Sequence, residues 1–235
     1  MESDMNGSTA MPHLKAVIFD FDGTIIDTES TAFRAWQHIY SEHGQELKIE
    51  EYAQCIGTNH DVFNPQVTLS SRVAYELDWE EMTPRRRMLE REFLSRQKVA
   101  PGVRELIETV QSHGLRLAIG SSSPRMWIDR VMPLPDADRI FDAIITSDDA
   151  PPKPKPDIFL LALDRLGIGP SEAVVIEDSP NGALAAYRAG IFCITIPNDL
   201  TRLLRFEHGD LKVESLAEVT FEQIRDAHQR HQLER

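Results

Sequence analysis

Short stretches dominated by consecutive apolar residues recur along the chain. They are Leu14 to Phe19, Leu115 to Ile119, Ala143 to Ile145, Ala173 to Ile176 and Phe192 to Ile196. Runs of this kind, apolar at neighbouring positions rather than at alternate ones, read as strands buried on both faces. Helical stretches separate the last four. Pro101 to His113 opens on a proline and stops before Gly114, Asp157 to Leu166 stops at Gly167, and Asn181 to Ala189 stops at Gly190. Proline at the first turn and glycine just past the last are the usual helix punctuation. Strands alternating with helices predict a parallel sheet covered on both faces.

Residues 28–98 carry a different pattern. Thr28 to His43 places Phe33, Trp36, Ile39 and Tyr40 at helical spacing and stops at Gly44. Thr83-Pro84 predicts a second helix start, a capping hydroxyl followed by proline. The expected fold is therefore α/β. A Rossmann-like parallel-sheet core with helices on both faces is built from 13–27 and 99–235, and 28–98 forms an inserted α-helical cap. Residues 1–12, polar and small, are expected to be a disordered tail. The cap should hinge at Ile26-Asp27-Thr28 and Lys98-Val99-Ala100-Pro101, where the chain crosses between the two parts.

Composition narrows the partners. The 235 residues are 41% hydrophobic and 27% charged, enough for a real core in one or two domains. No apolar run approaches the ~18 residues of a membrane span, and the start lacks a secretory apolar region. Cys55 and Cys193 stand far apart, as reduced thiols of a cytoplasmic protein do. A net charge of -13 argues against a nucleic-acid surface. It leaves room for an anionic substrate only if cation is supplied locally. Oligomeric state is not legible, and a monomer is the default expectation.

In open parallel sheets, ligands bind beyond the carboxyl ends of the strands. The polar residues there are Asp20-Phe21-Asp22-Gly23-Thr24 after the first strand and Ser121-Ser122-Ser123 after the second. Asp148, Asp149, Lys153 and Lys155 follow the third, and Glu177-Asp178-Ser179 the fourth. Taken singly each has an ordinary reading: a turn aspartate, a helix cap, a solvated lysine. On successive strand ends they place carboxylates, hydroxyls and a lysine around one crevice. Crowded carboxylate oxygens are hard ligands suited to Mg²⁺, and the lack of a His/Cys cluster argues against zinc. Ser121-Ser122-Ser123-Pro124, a strand-to-helix turn, suits an anion.

These motifs resemble the haloacid dehalogenase superfamily, within it the β-phosphoglucomutase-like sugar phosphatases with a helical cap, over residues ~14–200. Asp20-Phe21-Asp22-Gly23-Thr24 resembles the first motif, Ser121 the second, Lys153-Pro154-Lys155-Pro156-Asp157 the third and Ile176-Glu177-Asp178-Ser179-Pro180-Asn181-Gly182 the fourth. The resemblance implies Asp20 as nucleophile and Asp22 as general acid and base, with its backbone carbonyl on the metal. It implies Ser121, Ser122 and Lys153 on the substrate phosphate, Lys155 being a weaker candidate. Asp20, Asp22, Asp178 and Glu177 would form the Mg²⁺ set. The implied reaction is hydrolysis of a small phosphorylated metabolite, a sugar phosphate by family, through a phospho-aspartate. The alternative is a phosphosugar isomerase. Against that alternative, Ala32 stands where the mutases have a histidine, and Gly57-Thr58-Asn59-His60 lacks their cap arginine. Lys48, His60, Asn64 and Arg72 are the candidate specificity residues.

Overall fold

Six strands form one sheet: β1 (Ala16–Phe19), β2 (Arg116–Gly120), β3 (Ala143–Ile145), β4 (Ala173–Glu177), β5 (Phe192–Thr195) and β6 (Leu211–Lys212). The computed structural model describes residues 13–56 and 63–234. All strand pairs are parallel, in the order β3-β2-β1-β4-β5-β6. The order reverses between β1 and β4, which is the switch point where such sheets open a crevice. The five expected strands are all present, with ends within two residues of the expected ones. β6, two residues long, is too short to announce itself in a pattern.

Ten α-helices accompany the sheet among the described residues. They are α1 (Glu29–Glu42), α2 (Ile49–Tyr52), α3 (Pro65–Arg72), α4 (Trp79–Leu94), α5 (Val103–Ser112), α6 (Arg125–Val131), α7 (Ala137–Ile140), α8 (Asp157–Leu166), α9 (Pro180–Ala189) and α10 (Phe221–Glu234). Side chains alternate across the strands. Val17, Phe19, Leu117, Ile119, Val174 and Ile176 therefore face one layer, with Val103, Leu106, Ile107 and Val110 of α5, Ile128 of α6 and Phe221 and Ile224 of α10. Ala16, Ile18, Ala118, Val175 and Cys193 face the other, with Ile158, Phe159 and Leu163 of α8 and the alanines of α9. Cys193 is a buried free thiol. The tail 1–12, the Gly57–His60 segment and the Cys55 side chain lie outside the described residues.

Helices α1 to α4 stand between β1 and α5 and pack on their own cluster, which includes Phe33, Ile39, Tyr40, Tyr52, Leu69, Met82 and Leu89. Two residues cross the division: Leu94 of α4 belongs to the sheet's cluster, and Leu200, beyond β5, to the helical one. The two chain crossings pair with each other, through an antiparallel bridge between Ile26 and Val99 and a hydrogen bond from Ala100 N to Ile25 O of 2.9 Å.

The start of α4 differs from expectation. The helix begins at Trp79, not after Thr83, and Asp78 caps it by accepting from Glu80 N and Glu81 N at 3.0 and 3.1 Å. Pro84 therefore sits inside the helix, where it removes the N–H that would bond one turn back. A charged cap with two backbone donors and the packing of Met82 and Leu89 outweigh that loss.

Candidate active site

Strand register assembles the site. Phe19 is level with Ile176 on one side and Ile119 on the other, so the residues that follow, Asp20, Glu177 and Gly120-Ser121, emerge together at one edge. Asp20, Glu177 and Ser121 line a cavity of about 430 Å³ with Asp22, Ser122, Ser123, Lys153, Asp178, Thr28, Glu29, Ala32, Glu90 and Trp127. The cavity sits over the switch point.

Three carboxylates, Asp20, Glu177 and Asp178, are buried there and present oxygens within 4.8 Å of one another. Lys153 answers two of them. Its Nζ donates to Asp20 Oδ1 at 2.5 Å and to Glu177 Oε1 at 2.7 Å, and its side chain is 5% exposed. Glu177 Oε2 accepts from the backbone N and the hydroxyl of Ser179, both at 2.9 Å. Both Glu177 oxygens are thus committed to protein donors, and the residue orients Lys153. Asp178 Oδ2 accepts from Asn198 Nδ2 at 2.7 Å. Two glycines make the crowding possible: a Cβ on Gly182 would lie 1.6 Å from Glu177 Oε1, and one on Gly23, where φ is +82°, 2.1 Å from Asp178 Oδ2.

One ammonium among three buried carboxylates leaves negative charge in excess. Burial pushes Asp20 up to about 8, opposed by the Lys153 ammonium and reinforced by Glu177 and Asp22. Asp178 is raised well above the carboxylate range, again by burial first and by Glu177 and Asp20 after it. Burial would lower Lys153, but Asp20 and Glu177 more than offset it and hold the ammonium above its usual value. Asp20 Oδ2 and Asp178 Oδ1 carry no hydrogen bond among the described residues. Two free carboxylate oxygens, an uncompensated charge and a donor set without His or Cys fit Mg²⁺.

Asp22 points elsewhere. Its Oδ2 accepts from the Ser123 hydroxyl at 2.6 Å and, at 3.4 Å, from that of Ser121, while Oδ1 accepts from Trp127 Nε1 at 2.8 Å. Its side chain is therefore outside the metal cluster, and only its backbone remains for the implied metal contact. Ser121 Oγ also accepts from Ser123 N, and Ser122 Oγ from Lys153 N at 3.1 Å, which ties the lysine loop to the serine turn.

Other expected residues stay apart. Lys155 is exposed and does not line the cavity. Asp148 accepts from Arg125 N and Asp149 from Thr146, both as local loop fixings. Lys48 precedes α2, Arg72 binds Glu51 and the Glu46 carbonyl, and Asn64 caps α3. None of the three lines the cavity; Asn64 reaches an adjoining hollow with Ala32 and Glu90. His60 lies outside the described residues. Residues the sequence pattern does not single out are Trp127, Glu29, Glu90 and Asn198. Burial raises Glu29 to about 7, with Asp22, Asp27 and Glu90 adding. Asn198 follows the end of β5, the kind of position at which the first four strands carry their polar residues.

The haloacid dehalogenase-like hydrolase profile matches residues 17–196. A Bacillus subtilis (strain 168) protein bearing the name of a phosphatase, YhcW, is 37% identical over 207 residues, covering 88% of this chain and 94% of its own. The phosphorylated carbohydrates phosphatase of Thermotoga maritima is 33% identical over 183 residues, covering 76% and 82%. Among solved structures, CbbY from Rhodobacter sphaeroides in complex with phosphate superimposes with a TM-score of 0.65 at 29% identity, covering 87% of this chain and 96% of that one. The chain belongs to the haloacid dehalogenase-like hydrolase family, as a phosphoric monoester hydrolase.

Proposed function

We propose that this enzyme is a Mg²⁺-dependent phosphatase of a small phosphorylated metabolite, a sugar phosphate in the first instance, acting through a phospho-aspartate on Asp20. The observation that carries this reading is the state of Asp20 itself. One oxygen is fixed by Lys153, the other is free, and both sit in a cavity at the switch point. Phosphate-monoester hydrolysis is among the slowest uncatalysed reactions, and a carboxylate nucleophile divides it into two easier steps.

In the first step Asp20 Oδ2 bonds to phosphorus, the ester oxygen leaves, and Asp22 gives it a proton. In the second, Asp22 takes a proton from water, the resulting oxygen bonds to phosphorus, and Asp20 is released with inorganic phosphate. Lys153, Ser121 and Ser122 bind the non-bridging oxygens. The Asp20 carboxylate, Asp178 Oδ1 and the Asp22 backbone carbonyl would hold Mg²⁺, which would supply charge neutralisation on the transferring group. Ala32 lines the cavity and offers no hydrogen-bonding side chain, which supports hydrolysis over isomerisation. Residues 28–98, which bring Glu29, Ala32 and Glu90 to the cavity wall, act as the cap and as the source of selectivity.

The sugar phosphate is supported by the name of the Thermotoga relative. The test is phosphate release from an aryl phosphate and from a panel of phosphorylated sugars with Mg²⁺, beside Asp20→Asn. Turnover in the wild type and none in the folded variant is expected. Activity of the variant within tenfold of wild type would overturn the nucleophile.

A further inference from the structure

We propose that Asn198 is a positioning residue that holds Asp178 as a one-oxygen ligand and thereby tilts the metal site toward Mg²⁺ and away from Ca²⁺. The inference rests on the Mg²⁺ reading given above and adds a residue that sets the choice of ion.

The side chain of Asn198 has one available orientation. Its Oδ1 accepts from Leu200 N at 3.0 Å and from Thr201 N at 2.9 Å, while its own backbone N donates to Thr201 Oγ1 at 3.0 Å. A carbonyl oxygen held by two backbone donors leaves the amide nitrogen pointing the other way. That nitrogen donates to Asp178 Oδ2 at 2.7 Å. A flip would set two N–H groups against the amide NH₂ and a carboxylate against a carbonyl. The turn after β5 therefore fixes the donor, and the donor fixes Asp178. Gly23 passes close enough that no Cβ fits beside this pair, so the pair depends on a glycine there.

The consequence is one of denticity. A carboxylate oxygen held by a short hydrogen bond is turned toward its donor, which favours binding an ion through the other oxygen alone. Asp178 has Oδ2 committed to Asn198, Asp20 has Oδ1 committed to Lys153, and Glu177 has both oxygens on Lys153 and Ser179. The cluster thus offers single oxygens. Mg²⁺ asks for that: about six ligands at ~2.1 Å, one or two of them carboxylate oxygens, the rest waters and substrate. Ca²⁺ takes six to eight oxygens and commonly a carboxylate in the two-oxygen mode. Asn198 withholds that mode at Asp178.

The experiment measures Mg²⁺ and Ca²⁺ binding to the full chain by titration calorimetry, with melting temperature against each ion as a second readout, for wild type, Asn198→Asp and Asn198→Ala. Asn198→Asp keeps the acceptor that caps the turn but replaces the donor by a further carboxylate, so its added charge is read against Asn198→Ala, which removes the donor and adds no charge. A purely structural role predicts no change in ion preference for either. Positioning predicts that the ratio of Ca²⁺ to Mg²⁺ affinity rises about tenfold or more in both variants, the usual scale for removing an outer partner of a metal ligand. Phosphate release should become correspondingly easier to inhibit with Ca²⁺. An unchanged ratio in Asn198→Asp overturns the inference while leaving the phosphatase reading intact. A wild type that binds neither ion overturns the Mg²⁺ reading and the inference together.

Discussion

Replacing Gly23 by alanine tests the geometry of the site through a residue that does no chemistry. The added methyl would stand 2.1 Å from Asp178 Oδ2 and 3.0 Å from Asn198 Nδ2. Atoms do not pack at 2.1 Å, so the carboxylate must retreat by about 1 Å, a misplacement of the size that costs ~10²-fold in rate. The backbone at φ +82° adds ~1–2 kcal/mol of strain for a residue with a Cβ. At about 2–4 °C per kcal/mol for a chain of this size, the melting temperature should fall by roughly 2–8 °C, and the variant remains folded. The assay is phosphate release against Mg²⁺ concentration, with circular dichroism to confirm the fold. Turnover should fall ~10²-fold, with a marked rise in the Mg²⁺ needed for half-activity. A variant with wild-type Mg²⁺ dependence and turnover would refute the view that Asp178 works from the position it occupies here.

Chelation should abolish turnover, and millimolar MgCl₂ should raise the melting temperature of the chelated protein. Asp20 has a folded pKa above its unfolded one, so folding takes up a proton and metal-free stability falls as pH rises from about 4 to about 8. The gain from Mg²⁺ should widen over the same window, because the ion replaces that proton; a gain that shrinks with pH would contradict it. Lys153→Met should destabilise the protein by ~3–5 kcal/mol at neutral pH by leaving buried carboxylates unpaired, measurable by urea unfolding, with much of the loss recovered in acid. β-Glucose 1-phosphate, if a substrate, should yield glucose and phosphate; glucose 6-phosphate forming faster than phosphate in the presence of a bisphosphate primer would replace hydrolysis by isomerisation. Crystal forms with and without a phosphate analogue should differ in the angle between 28–98 and the sheet, swinging about the Ile26–Val99 crossing; an invariant angle would count against cap closure.

Much of the fold and the core of the site could be read from the chain because both obey simple geometry. A run such as Val174-Val175-Ile176 has only one comfortable home, inside a parallel sheet, and the polar residues after such runs converge by topology. Asp20, Lys153, Glu177 and Asp178 were therefore visible. The start of α4 is not legible because Thr83-Pro84 and Asp78 are rival caps, and only tertiary packing of Met82 and Leu89 decides between them. Glu29 and Glu90 look like ordinary helix-surface charges until α1 and α4 turn them over a cavity. Trp127 reads as an apolar helix residue, since nothing local shows that its ring N–H meets a carboxylate 105 positions away.

The pairing of β1 bears on how the chain is made. Ala16 aligns with Arg116 and with Ala173, so the central strand, synthesised first, has no partner until the whole helical block and α5 have followed it. Loop-closure entropy grows only logarithmically with length, and the block adds little to the thermodynamic cost of closing that gap. The kinetic cost is larger. For the time that the ribosome needs to reach β2, and again β4, Val17, Ile18 and Phe19 travel as an exposed, uncharged, β-prone segment of the sort that seeds aggregation. Lys15 beside it is the one charge that interrupts the run, a gatekeeper in the sense used for aggregation-prone strands. The insertion that brings Glu29, Ala32 and Glu90 to the cavity thus lengthens the interval in which that segment waits for a partner strand.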